Sequence, residues 1–503
     1  MKNQLLYFIL SITILFCQFE NEKLYVTIQM MDQVGVINTQ TNQIQNIVET
    51  EIQDYIYTNA SCMDYTSEME CNMSGSCEWM MGMCMESQTD IDCMDYTSEM
   101  ECSMSGSCEW MMGMCMESAS SDMNTPHFIV FDEVMGYWFT TTIASGYIAQ
   151  FSLIDNEFID AVFVGDAPAI LTIDVQNKKL YSSRMMPMNG MGNMMPSSES
   201  NIIQSLDYSN EGLSLSAVAE YEINSPAPHG IAISDDGIKI YTASNTADWL
   251  YEIDISSGQV IGVAMDSNVS NPSDQPTLRL KPIQCLVVGN KLFVTCSAGI
   301  WMNPWTGEQS IIPGQLQMWN TDNMTLIDFV EFGNHTAPWH IVSSPNSDKV
   351  YVALGGDNLY DTEGVASVIF SDNDLEIEWQ TGNELFDTLH GIDVSANGEK
   401  IYVSGRGDGY IHILNNAGEY ISNIFIGSMS MLGGINILKK QLPSLGDSNN
   451  DSIINVVDII QVINFILDNE TLSPYSSFAS DFNNDSIINI IDITGIVNLI
   501  TYE

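Results

Sequence analysis

A chain of 503 residues with 65 Asp plus Glu against 14 Lys plus Arg has a formal net charge of −51, which repels nucleic-acid phosphates and anionic lipid head groups and excludes nucleic acid as a partner. The length is enough for one large β domain with an ample core plus a small module. An acid excess with few lysines also suits a salty, calcium-containing exterior, where screening relieves self-repulsion.

At the start, Lys2 precedes an apolar run from Leu5 to Phe16, too short to span a bilayer and long enough for a secretory signal. Residues 1–20 are expected to be a signal peptide and the mature protein to be secreted, extracellular or at the cell surface. Phe16 is bulky where a lipoprotein signal before Cys17 takes a small residue, so simple cleavage near residues 17 to 20 is favoured. No later segment approaches eighteen uninterrupted apolar residues, and no membrane span is expected.

Between the first apolar unit, Lys23 to about Glu51, and the next lies a duplicated insert, residues 61–87 and 92–118. Each copy carries four cysteines: Cys62, Cys71, Cys77 and Cys84, then Cys93, Cys102, Cys108 and Cys115. In an exported chain an even set reads as two disulfides per copy, with three connectivities open. Zinc would be favoured by a Cys-x2-Cys spacing, which is absent. The insert is rich in Met, and a second Met cluster spans 185–195; thioethers select Cu(I), and Met also serves as adaptable packing.

From Pro126 on, one phrase recurs. Openings align at Pro126, Pro168, Pro228, Pro282, Pro338, Leu389 and Leu432, each starting a short apolar strand. Second strands begin Lys23-Leu-Tyr, Gly136-Tyr-Trp, Lys179-Leu-Tyr, Lys239-Ile-Tyr, Lys291-Leu-Phe, Lys349-Val-Tyr and Lys400-Ile-Tyr, and third and fourth strands follow. Four short strands repeated radially predict an all-β fold, a seven-bladed β-propeller over 23–440. The last opening lacks a second strand and the first unit lacks a first, so 431–438 is expected to pair with 23–52 and close the ring. Residues 228–243 resemble the repeat of the YVTN family of propellers, which includes surface-layer proteins and is similar in architecture to seven-bladed lactonases and some metalloenzymes. That resemblance implies the fold and leaves the activity open.

His127, His229 and His390 share one register at the openings and His340 falls one place later. First strands line a propeller's channel, so these rings are candidates for a second metal or ligand site, copper included. Blades two, four and seven are not adjacent, which sets His127, His229 and His390 apart around the ring, and a His here can also serve only to hydrogen-bond the next blade. Cys285 and Cys296 flank a hairpin turn and pair only if the register lets them face. Neither Gly-x-Ser-x-Gly nor His-Glu-x-x-His occurs, so no nucleophile is signalled, and acid pairs for glycoside cleavage are defined by separations that a sequence does not give.

Two acidic loops close the chain, Asp447-Ser-Asn449-Asn-Asp451-Ser-Ile453-Ile-Asn455-Val-Val-Asp458 and Asp481-Phe-Asn483-Asn-Asp485-Ser-Ile487-Ile-Asn489-Ile-Ile-Asp492. A twelve-residue calcium loop places oxygens at positions 1, 3, 5, 7, 9 and 12, as both do. Each runs into an apolar segment of helical length, so the two loop-helix units can pack face to face. The pair, about residues 445–503, resembles a dockerin, the duplicated module that plugs secreted proteins into cohesins. The resemblance implies an α-helical domain holding two Ca2+ ions, one through Asp447, Asn449, Asp451, the Ile453 carbonyl, Asn455 and Asp458. The other ion falls to Asp481, Asn483, Asp485, the Ile487 carbonyl, Asn489 and Asp492. Position 6, usually Gly, is Ser452 and Ser486, at a cost of about 1 kcal/mol each. Positions 10 and 11, often hydroxyl-bearing in dockerins, are Val456-Val457 and Ile490-Ile491, which suits an apolar partner surface. The expected function is calcium-dependent, non-catalytic binding and extracellular assembly, with a cohesin-like protein or a polysaccharide as partner. The alternative is a copper-dependent, lactonase-like or polysaccharide-degrading propeller enzyme with its site at the channel mouth.

Overall fold

The computed structural model describes residues 22–50, 52, 77–80, 83–86, 108–111, 114–117, 124–165, 167–184, 201–265, 279–302, 306–357, 360–440, 443–467, 469 and 471–502. Seven four-stranded antiparallel sheets form the blades of a propeller. Inner strands such as Lys239–Ser244 and Lys400–Gly405 are buried along almost their whole length, because a neighbouring blade covers each face of the sheet. Their sequences are correspondingly apolar on both faces. Outermost strands such as Leu375–Thr381 lie at the rim and alternate between more and less exposed residues, as a strand with one wet face should.

Ring closure follows the sequence pattern. The first blade runs in the order Gln43–Glu49, Gln33–Asn38, Lys23–Ile28, Leu432–Leu438. Lys23 faces Leu438 and Val26 faces Ile435, with a register shift before Ile28 meets Leu432. The composite blade then packs on both neighbours. Leu24, Val26 and Ile435 meet Tyr402, Ile411 and Ile413 of blade seven, and Tyr25 and Val34 meet Phe131 and Trp138 of blade two.

Two irregularities repeat at the blade openings. Thr125, Ala167, Ala227, Lys281, Ala337, Thr388 and Met431, each just before a first strand, all take a left-handed φ between 40° and 54°. First strands also shift register directly after the opening, as between Pro126 and Ile129, Pro338 and Ile341, or Leu389 and Ile392. An extra residue there turns a side chain that would face a neighbouring blade toward the axis. The histidines occupy these bulges.

Blade five carries an added hairpin, Gly299–Met302 with Gln309–Ile312. Cys285 lies opposite Val294 and Cys296 opposite Pro282, so the two thiols are out of register; both are free and buried, which corrects the pairing that their flanking of a turn allows. In the insert, Cys77–Met80 pairs with Met83–Glu86, and Cys108–Met111 with Met114–Glu117. Of the cysteines expected in disulfides, Cys62, Cys71, Cys93 and Cys102 lie outside the described residues, as do the signal peptide and the 185–195 cluster.

The C-terminal module contains α1 (Val456–Ile466), α2 (Pro474–Ser480) and α3 (Ile490–Tyr502). Helices α1 and α3 meet through Val462, Ile493 and Ile496. Helix α2 faces the propeller. Tyr475 is fully buried in the same cluster as Tyr25, Phe131 and Trp138. Gly136 admits it: its φ of 88° and a hypothetical Cβ only 2.3 Å from the Tyr475 ring both demand glycine. Tyr475 N–H donates to Met135 O (3.3 Å), Asn450 Nδ2 to Val134 O (2.7 Å) and Asn210 Nδ2 to Thr471 O (3.1 Å). Among the described residues no helix is long and apolar enough to cross a membrane.

Candidate functional site

The two acidic loops fold into matching cradles. Asp447 Oδ1 and Oδ2 accept from the backbone N–H of Asp451 (3.1 Å) and Ser452 (2.9 Å), as Asp481 accepts from Asp485 (3.0 Å) and Ser486 (2.8 Å). Asp458, one turn into α1, accepts from Asn449 and Asn455 N–H, while the Asn455 side chain caps the helix. Asp492 does the same for Asn483 and Asn489. Asn449 Nδ2 donates to Asp451, Asn455 Nδ2 to the Ile453 carbonyl, Asn483 Nδ2 to Asp485 and Asn489 Nδ2 to the Ile487 carbonyl. These hydrogen bonds tie positions 1, 3, 5, 7, 9 and 12 of each loop to one another.

This donor set fits a hard dication: carboxylate, amide and carbonyl oxygens, with no softer atom among them. Burial raises the Asp447 carboxyl pKa, and the charges of Asp458 and Asp451 add to the rise against two backbone hydrogen bonds. Such repulsion is what a bound cation would relieve. Ser452 and Ser486 do take left-handed φ values, 68° and 66°, at the position where glycine is usual. Beside the cradles, Val456 (61% exposed), Val457 (49%), Ile490 (67%) and Ile491 (59%) present apolar side chains to solvent.

The second candidate lies on the propeller axis. Sequence order separates its histidines around the ring, but the narrow channel and the opening bulges bring them together. Ring centroids are 4.6 Å apart for His340 and His390, 5.3 Å for His127 and His390, 6.3 Å for His127 and His229, and 6.4 Å for His127 and His340. One ring nitrogen each from His127, His340 and His390 lies within 4.8 Å of the others. His229 stands aside, its Nδ1 donating to Ile283 O of the next blade at 2.6 Å. Trp339 stacks on His390 at 4.8 Å.

Burial lowers the pKa of all four imidazoles, that of His340 to about 3, and the positive charge of Arg406 adds to the effect on His127 and His390. The rings are therefore neutral near pH 7. Three such nitrogens can converge on a metal ion if they offer lone pairs, or on a hydrogen-bond acceptor if they offer N–H. Sequence reasoning missed Gln29, from blade one, and Arg406, from blade seven. Gln29 Nε2 contacts His127 Nδ1 at 2.7 Å, and Arg406 Nη1 contacts Gln29 Oε1. Neither belongs to an aligned opening, so no register argument points to them.

Residues 445–501 match the dockerin type I domain. A dockerin domain binds calcium, docks to cohesin-type partners, and belongs to extracellular or cell-surface assembly proteins. No curated protein matches the chain. The chain is similar to a functionally unknown protein from Desulfotomaculum acetoxidans DSM 771, at 13% identity and a TM-score of 0.52, covering 83% of this chain and 99% of that one. It is also similar to a protein from Lactobacillus plantarum, at 11% identity and a TM-score of 0.51, again covering 83% and 99%. At such identities the likeness is one of fold.

Proposed function

We propose that this chain, a YVTN-type seven-bladed β-propeller ending in a dockerin type I domain, is a secreted, non-catalytic assembly component whose propeller offers a binding face for protein or polysaccharide. The observation that carries the reading is the pair of matching acidic cradles inside the segment that matches a dockerin. In this reading two Ca2+ ions are held, one by Asp447, Asn449, Asp451, the Ile453 carbonyl, Asn455 and Asp458, the other by Asp481, Asn483, Asp485, the Ile487 carbonyl, Asn489 and Asp492. Calcium supplies the charge that lets the acids of each loop sit together, and so couples metal binding to folding of the module.

Partner recognition then falls to the exposed apolar pairs, Val456-Val457 and Ile490-Ile491, rather than to α2, which is spent on the propeller. The test is capture of the full-length chain by immobilised cohesin modules. Capture in calcium, its loss in chelator, and its loss in the Val457→Asp/Ile491→Asp double variant with helicity intact are the expected results. Capture that is indifferent to chelator, or unaffected by the two aspartates, would contradict the reading.

A further inference from the structure

The direction of hydrogen bonding at the channel mouth is set by a residue that can only donate. A guanidinium has no acceptor, so Arg406 Nη1 donates to Gln29 Oε1. Gln29 must then turn its NH2 end to His127, and its Nε2 donates to His127 Nδ1 at 2.7 Å. With its Nδ1 lone pair taken, neutral His127 carries its proton on Nε2. That N–H is buried without a hydrogen-bond partner, and so are His340 Nε2 and His390 Nδ1.

A metal ion fits this arrangement poorly. It would need a lone pair that His127 Nε2 does not offer, and it would lie near a guanidinium with no acid to offset the two charges. Among the described residues no carboxylate forms an ion pair with Arg406. Asp408, two residues on, instead accepts from His412 Nε2 at 2.9 Å and from the N–H of Tyr410 and Asp387. No acidic group figures among the influences on His127, His229, His340 or His390. The half-buried Arg406 charge lacks an anion, and three orphaned ring nitrogens lack a partner; one ligand answers both needs.

We propose that His127, His340, His390 and Arg406 form an anion site at the propeller axis that takes one small oxyanion, a single carboxylate or phosphate group. One ring nitrogen from each of the three histidines lies within 4.8 Å of the others, so a single oxygen can sit about 2.8 Å from each, a hydrogen-bond length. The wider charge distribution agrees. In a chain of net charge −51 all three arginines, Arg184, Arg279 and Arg406, cluster at this end of the propeller: Arg184 lies opposite Pro168, Arg279 donates to Asn245 O beside Pro282, and Arg406 N–H donates to Thr388 O. Lys179, Lys239, Lys349 and Lys400 instead begin the second strands at the opposite end. The groups facing the site are His127, His229, His340, His390 and Arg406, so an anion there would favour imidazolium and be held more tightly as pH falls.

The experiment is calorimetry on the full-length, calcium-loaded protein, titrated separately with sodium formate and inorganic phosphate at constant ionic strength. Expected is saturable uptake of one anion per chain, weakened by about ten-fold or more in Arg406→Gln and in His340→Gln. Binding should tighten by about three-fold or more between about pH 8 and pH 6. Formate alone would identify a carboxylate ligand and phosphate alone a phosphoryl group; either supports the site. Arg406→Lys, which keeps the charge, should keep binding within about ten-fold and decides the matter should Arg406→Gln fail to fold. No saturable uptake of either probe by the wild-type protein would mean that water fills the cluster, and would overturn the proposal. Equal binding by Arg406→Gln, or stoichiometric copper or zinc held by the wild type and lost in His340→Gln, would overturn it too. None of these outcomes depends on cohesin capture, so this proposal and the assembly reading fail separately.

Discussion

The C-terminal loops and the channel mouth both bring polar side chains together, yet they ask for opposite charges. In each loop, acids from neighbouring positions are held by the loop's own backbone N–H groups; in the first, burial raises the Asp447 carboxyl and the charges of Asp458 and Asp451 add to the rise. At the channel, neutral imidazoles from three blades stand near one guanidinium, with no acid among the influences on them. The loops are closed by local sequence and can form wherever the twelve residues occur. The channel cluster exists only once the ring has closed and the opening bulges have turned the rings inward. The difference shows that the ion a site selects depends less on how many ligating side chains it has than on which charges the backbone and neighbours have already fixed.

The largest expected effect would remove the local half of this comparison. Asp447→Ala/Asp481→Ala deletes position 1 of both loops; removal of even a supporting contact costs up to about 100-fold in metal affinity, and loss of a ligand should cost at least that. Calcium calorimetry checks it, and anion uptake at the channel should not change.

Next is the joint between the two regions. Tyr475→Ala empties a fully buried aromatic site shared by α2 and blades one and two, at a cost of about 3–5 kcal/mol. Calorimetric unfolding should then separate into a propeller transition and a module transition. Tyr475→Phe is the control, because the hydroxyl is buried without a partner; its removal should change stability by less than about 1 kcal/mol.

The smallest effect sharpens the loops themselves. Ser452→Gly and Ser486→Gly relieve left-handed backbone at 68° and 66°, and about 1 kcal/mol of relief would tighten calcium binding by about five-fold per loop. Unchanged affinity in calcium titrations would mean that the loops absorb the serines without strain.

Legibility followed locality. The blades could be read because each repeats an opening and a Lys-aromatic second strand, and the closing strand could be placed because Leu432–Leu438 and Lys23–Ile28 are each half of a blade. The acidic loops at the C-terminus were legible because twelve consecutive residues carry each of them. Alignment placed the histidines at one mouth but not within reach of one another, since that depends on channel width and on a bulge that strand periodicity does not reveal. Gln29 and Arg406 were silent, one in the short helix after Lys23–Ile28 and the other in a turn of blade seven. Tyr475 belongs to no motif in the sequence, and its burial follows from the space that Gly136 leaves. Cys285 and Cys296 depended on a turn register that puts Val294, not Cys296, across from Cys285.

The most direct test of the central claim is calcium stoichiometry, measured by elemental analysis of the full-length protein and of its Asp447→Ala/Asp481→Ala variant after dialysis against trace calcium. The account predicts two calcium ions per chain in the first and none in the second, with the helical circular dichroism of the module lost alongside. Equal calcium in both proteins, or a module whose helicity is indifferent to the metal, would contradict it.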